Sequence, residues 1–219
     1  MTHPLSRSAS LARVKVLVLD PQANCSVPVP VMASSAMNGF AHCAEGLYSR
    51  LRNHVSEGLA LQGIRLFSRW LPEMVRAPDL VDARAGVLTA AHLSGMVISN
   101  ARVGIHHAVC HCLGARGNLS HGVANSIMLP HALAYNLEDA TPALALMAQA
   151  MGCEARGSER HMALAGMSEY FGSTEPPTPN FAPLPLASRI HEGLVFSNRD
   201  TSTLLDKIGG VADAHRWLY

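Results

Sequence analysis

Aromatic side chains are scarce in this chain: Phe, Trp and Tyr make up 5% of 219 residues, and charged residues reach only 15%. With Ala, Leu and Met abundant, that shortage argues against a sheet-built core and for packed helices. Neither sign of charge dominates, since 17 Lys and Arg face 16 Asp and Glu. A nucleic-acid surface is thereby excluded, and the small basic groups at 50–52 and 156–160 read as solvated faces. No apolar run is long enough to span a membrane, and the N-terminus has no apolar secretory core, so neither a membrane partner nor export is expected. The five cysteines, Cys25, Cys43, Cys110, Cys112 and Cys153, contain no CxxC pair. They read as free thiols of a cytoplasmic protein, with Cys110 a packing residue. A glycine-rich phosphate cradle is missing too, because the one double glycine, Gly209-Gly210, follows no strand.

Strands are nearly absent as well. Residues 14–20, VKVLVLD, form the one β-branched run, which predicts a short strand ending at Pro21. Residues 1–13 read as disordered, and Pro28 with Pro30 as an extended lead-in. Helical spacing then takes over. Ser34 or Ser35 is expected to cap a helix carrying Met37, Phe40, Ala44 and Leu47. A second opens at Ser56-Glu57 and stops at Pro72; a third starts at Pro78-Asp79 and runs to Ile98. A fourth covers 101–113 and closes at Gly114. A fifth begins at Ala124 with a kink at Pro130, and a sixth covers 141–151 with Gly152 as its cap. Residues 153–219 are divergent: 175–185 (EPPTPNFAPLP) is loop, followed by short helical candidates at 203–208 and 211–218.

What the chain does have is histidine, twelve in all. Four lie in GIHHAVCHCLGARGNLSHG, namely His106, His107, His111 and His121. His107 and His111 are four apart and share a helix face. Gly114 and Gly117 let the chain return, so that His121, on a loop, faces the same space. An earlier segment, AMNGFAHCAEGLY, repeats the spacing with Asn38 and His42. Neutral imidazoles converging in this way suit a transition metal, a proton-transfer step, or both. His106 is offset by about 100° from His107 and should point away. Glu45, one turn after His42, should hydrogen-bond to it. His54, His92, His131, His161, His191, His215 and Arg102 read as surface or structural residues.

These segments resemble a known family. ASSAMNGFAHCAEGLYS is similar to the first motif of the iron-containing (group III) alcohol dehydrogenases. GIHHAVCHCLGARGNLSHGVANSIMLPHALAYN is similar to their second. The match is collinear from about residue 14 to 151. It implies an all-α bundle over 14–152, resembling the C-terminal domain of iron-containing alcohol dehydrogenase and dehydroquinate synthase-like folds, with one short N-terminal strand. By position, Asn38, His42, His107 and His121 correspond to the metal ligands. His111 corresponds to the residue beside nicotinamide and substrate that assists proton transfer. The reaction implied is NAD(P)-linked interconversion of an alcohol with a ketone or oxo acid, with iron or zinc polarising the oxygen.

Two departures qualify the resemblance. Metal-dependent members carry Asp where this chain has Asn38, so a divalent ion loses its anionic ligand and binds less tightly. Asn with three histidines resembles the maleylacetate reductase branch, although Ala108 stands where those reductases carry Lys. The second departure is that nothing here corresponds to the N-terminal nucleotide-binding domain, which is expected to be absent. A separate nucleotide-binding chain would then be a partner, and a homo-oligomer is compatible with the pattern. The alternative is a non-catalytic helical remnant or metal-binding module. On either reading the isolated chain should show no NAD(P)H-linked turnover with alcohols, ketones or maleylacetate; measurable turnover in a spectrophotometric assay would overturn that expectation.

Overall fold

The computed structural model describes residues 16–117 and 119–153. Among them lie seven helices: α1 (Pro21–Asn24), α2 (Val29–Tyr48), α3 (His54–Arg76), α4 (Val81–Ala101), α5 (Ile105–Gly117), α6 (His121–Asn136) and α7 (Thr141–Ala150). The helical expectation holds, with altered boundaries. No strand occurs among the described residues, and the expected one at 14–20 is corrected: 16–20 are extended but unpaired. Val16 and Val18 are 78% and 80% exposed, and a strand exists only through a partner that no described segment supplies. Residues 1–15 and 154–219, with the loop and short helices expected there, lie outside the described residues.

Prolines account for most boundary corrections. α2 begins at Val29 rather than near Ser34, because Pro30 occupies a first-turn position where its missing N–H costs nothing. α3 opens one turn before Ser56: the Asn53 side chain accepts from the N–H of Val55 and Ser56, and the Ser56 hydroxyl oxygen accepts from the Asn53 N–H. It also runs through Pro72 to Arg76, held by burial of Leu71 and Met74 on either side. α6 passes through Pro130, itself buried. At the end of α7, Gly152 adopts φ +88, as a glycine cap should.

α2 is the central helix, in contact with α3, α4, α6 and α7. Phe40 from α2 meets Phe67 from α3 at 6.3 Å between ring centroids, and Ile64, Met74, Leu129, Leu133, Leu144 and Met147 complete a dry core. A smaller cluster, Val109, Cys110, Leu113, Ala124 and Met128, joins α5 to α6. Arg84 is buried, and backbone carbonyls hold its guanidinium. Its Nε donates to Pro78 O and its Nη1 to the carbonyls of Asn24 and Val27, so one side chain fastens the α1 segment to α4. No described helix is long and apolar enough to cross a membrane.

Glycine sets how closely the helices approach. A Cβ on Gly46 would stand 2.2 Å from Val97 Cγ1, so α2 and α4 touch almost backbone to side chain. A Cβ on Gly122 would lie 2.8 Å from the Ser34 carbonyl carbon, which brings the first turn of α6 hard against α2. Gly58, by contrast, faces open space. In an open helical position Gly→Ala stabilises by about 0.5–1 kcal/mol, whereas backbone overpacking costs about 1–3 kcal/mol. Gly58→Ala should therefore raise, and Gly122→Ala lower, the midpoint of urea unfolding followed by circular dichroism.

Candidate functional site

Three helices deliver the site. Asn38, His42 and Glu45 are spaced by four and three along α2 and form one stripe. The chain leaves α4 through Arg102, whose φ of 63 makes a sharp left-handed turn, and α5 then starts with its N-terminus aimed at that stripe. Gly104 permits the approach, since a Cβ there would sit 2.9 Å from Glu45 Oε1. α5 contributes His106, His107 and His111. α6 contributes His121 from its first residue, so this histidine is helical rather than on a loop, placed by the Gly122 contact with Ser34.

The five residues expected to carry chemistry are brought together. The rings of His42 and His107 stack at 4.6 Å, His107 and His121 lie 6.0 Å apart, and His107 and His111 6.4 Å. His111 stacks on His121 at 5.3 Å. Asn38 Oδ1 lies 3.0 Å from His107 Nε2. His111 and His121 are exposed at the rim, while His107 is buried beneath them.

Two expectations need correction. His106 does not point away; it is fully buried beside His107, with Nδ1 3.3 Å from His107 Nδ1 and Nε2 3.1 Å from Asn125 O. The angular offset is real, but it turns His106 towards α6, which packs on that flank of α5. Glu45 does not serve His42. Its Oε2 is 2.5 Å from His107 Nδ1, and its Oε1 accepts the backbone N–H of His106 at 3.0 Å. Only the tertiary approach of α5 creates that contact, and intrahelical spacing carried no sign of it.

Burial governs the electrostatics. It pushes His42 down to about 3 and His106 to about 4, with neighbouring imidazoles adding to the effect on His42. His107 is depressed for the same reasons, burial first and then His121 and His111. Burial raises the Glu45 carboxyl, opposed by His106 and by the backbone N–H groups of Gly104, His106 and His107 at the start of α5. His42, His106 and His107 are therefore neutral imidazoles at physiological pH, the form that binds a metal or accepts a proton.

Glu45, His106 and His107 also bring three donor atoms within 4.8 Å of one another, the spacing of a metal site. Their hydrogen bonds to one another already occupy those atoms. Further donor atoms remain on His42, His107 and Asn38. Among the described residues, His42 Nδ1 is buried with no hydrogen-bond partner. His107 Nε2 and Asn38 Oδ1 face each other at 3.0 Å, and both can act as ligands. Asn38, His42, His107 and His121 offer three imidazoles and one amide oxygen, donor types that a divalent ion accepts, although none is anionic.

The family description "Fe-containing alcohol dehydrogenase family, C-terminal" matches residues 32–171. Maleylacetate reductase 1 of Cupriavidus pinatubonensis is 39% identical over 138 residues, 63% of this chain and 39% of that protein. The 1,3-propanediol dehydrogenase of Citrobacter freundii is 36% identical over 137 residues, 63% of this chain and 35% of that protein. Among solved structures, a maleylacetate reductase from Agrobacterium tumefaciens superposes with a TM-score of 0.60 at 32% identity, over 68% of this chain and 41% of that one. An alcohol dehydrogenase from Oenococcus oeni gives 0.70 at 26% identity, over 91% and 54%. The chain spans about two fifths of the length of the curated relatives it matches.

The histidine shifts make stability depend on pH. His42 and His106 have folded values well below the ordinary 6.5, so the unfolded chain takes up their protons first as pH falls. Their contribution is complete above 6.5 and is lost between 6.5 and about 4 for His106 and between 6.5 and about 3 for His42. Each loses at most about 1.4 kcal/mol per pH unit in that window. The raised Glu45 works in the opposite sense, favouring the fold at low pH and giving that up as pH rises through its folded value. The unfolding midpoint should therefore start to fall near pH 6.5, above the range of ordinary carboxylates. A midpoint flat from pH 7 to 5 would contradict this.

Proposed function

Because this chain belongs to the iron-containing alcohol dehydrogenase family, through that family's C-terminal region, we propose that it serves NAD(P)-linked interconversion of an alcohol and a carbonyl compound. Reduction of a maleylacetate-type oxo acid is the version favoured by the relatives. The observation that carries this reading is the convergence of His42, His107, His111 and His121 from three helices on one site, with Asn38 beside them. A nucleotide-binding unit supplies the hydride donor.

Asn38, His42, His107 and His121 are the proposed metal ligands. A bound divalent ion would act there as a Lewis acid on the substrate oxygen. Asn38 makes the ion optional. Its amide can present Oδ1 to a cation or, turned over, donate from Nδ2 to His107 Nε2; an aspartate offers only the first choice. His111, exposed at the rim and stacked on His121, is the proposed proton donor to the carbonyl oxygen as hydride reaches the carbon. Burial and His121 hold its pKa below the ordinary value, which makes the imidazolium a better acid. Ala108 is buried and provides no cation for a second carboxylate, so ketones and aldehydes belong in the substrate panel beside maleylacetate.

Two measurements test this reading. Elemental analysis after dialysis against zinc or iron should find little metal in the wild type, near-stoichiometric metal in Asn38→Asp, and none in Asn38→Asp carrying His107→Ala. Equal stoichiometric metal in wild type and Asn38→Asp would refute the charge argument. Co-expressed with the nucleotide-binding half of a maleylacetate reductase, the chain should oxidise NAD(P)H in the presence of an oxo acid or ketone. His111→Ala should then slow turnover by about a hundredfold or more. Turnover indifferent to His111 would remove its assigned role, and no turnover with any carbonyl compound would favour a non-catalytic metal-binding module.

A further inference from the structure

Three of the four ring nitrogens of His106 and His107 have neighbours that decide where the protons sit. His106 Nε2 faces the Asn125 carbonyl oxygen at 3.1 Å, which can only accept, so that nitrogen carries a proton. In neutral His106 the other nitrogen, Nδ1, is then a lone pair, and it points at His107 Nδ1 from 3.3 Å. His107 Nδ1 also faces Glu45 Oε2 at 2.5 Å, and Glu45 Oε1 accepts the His106 backbone N–H. Two acceptors converge on His107 Nδ1, which is therefore its protonated nitrogen. The remaining nitrogen, Nε2, is then bare; it lies 3.0 Å from Asn38 Oδ1, and with the Asn38 amide turned over it accepts from Nδ2 instead. Asn125 extends the chain: its Nδ2 donates to the carbonyl of His121 at 2.7 Å, linking the same network to the first turn of α6.

We propose that Glu45 and His106 are positioning residues that fix His107 as the Nδ1–H tautomer, so that its Nε2 lone pair is presented to the space beside Asn38. Neither touches that space. Glu45 is wholly buried and accepts from α5; His106 is wholly buried and relays the direction of a backbone carbonyl on α6. The functional meaning rests on the role proposed above for His107, whereas the tautomer is a property of the apo chain and can be read without metal or turnover.

Two- and three-bond imidazole ¹H–¹⁵N correlation spectra of the ¹⁵N-labelled chain in EDTA read the tautomers directly, with the two rings assigned from His106→Asn and His107→Asn. In the wild type His107 should show a protonated Nδ1 and a pyridine-type Nε2, and His106 the reverse. In Glu45→Gln the new amide can keep Oε1 on the His106 N–H and donate from Nε2 to His107 Nδ1, so the His107 proton should move to its Nε2. Zinc affinity, titrated calorimetrically, should fall about 10- to 100-fold in that variant. A wild-type His107 protonated on Nε2, or an unchanged tautomer in folded Glu45→Gln, would overturn the proposal. If Glu45→Gln does not fold by circular dichroism, the wild-type spectrum decides. If the wild type binds no zinc while the tautomers are as expected, the metal reading of His107 fails and the positioning stands.

Discussion

The contact on which this molecule turns is the Glu45 carboxyl group buried between α2 and α5. It does two jobs at once, accepting backbone N–H at the open end of α5 and holding His107 by its inner nitrogen. A buried carboxyl is expensive to desolvate and is tolerated only where several donors meet it. Those donors come from a helix terminus, where N–H groups lack intrahelical partners and the dipole favours negative charge. The same atoms that make Glu45 tolerable thus determine where α5 begins, and hence where His107 and His111 stand. Gly104 is the backbone counterpart, because any side chain there would collide with the carboxyl oxygen.

Much of the site was legible in the sequence because helical spacing is a local property. Asn38 with His42, and His107 with His111, were paired by the four-residue period alone, and their elements were recognised despite misplaced ends. The boundary errors share a cause: Pro30 and Pro72 were read as breaks, whereas the first sits where no N–H is needed and the second lies between buried Leu71 and Met74. The misreadings of His106 and Glu45 are of another kind. Helical phase says in which direction a side chain leaves its own helix, but which neighbour waits there depends on the tertiary arrangement. His106 leaves on the flank that α6 covers, and Glu45 on the one that α5 approaches.

The strand expectation failed for an equally physical reason. Residues 16–20 have strand composition, yet β structure is a relation between segments, and the described residues supply no second one. The chain stays extended there, with Val16, Leu17 and Val18 in solvent. Composition indicated what the segment prefers, and packing decided what it does.

Gly122 carries a consequence of a different order. Where α6 rests on Ser34, a helix terminus meets bare backbone with no side chain to act as a cushion. Such a junction behaves as a hard stop: it has one seated position and cannot yield gradually. His121, the residue just before it, therefore takes its place among the other imidazoles from a backbone contact and not from an adjustable side chain.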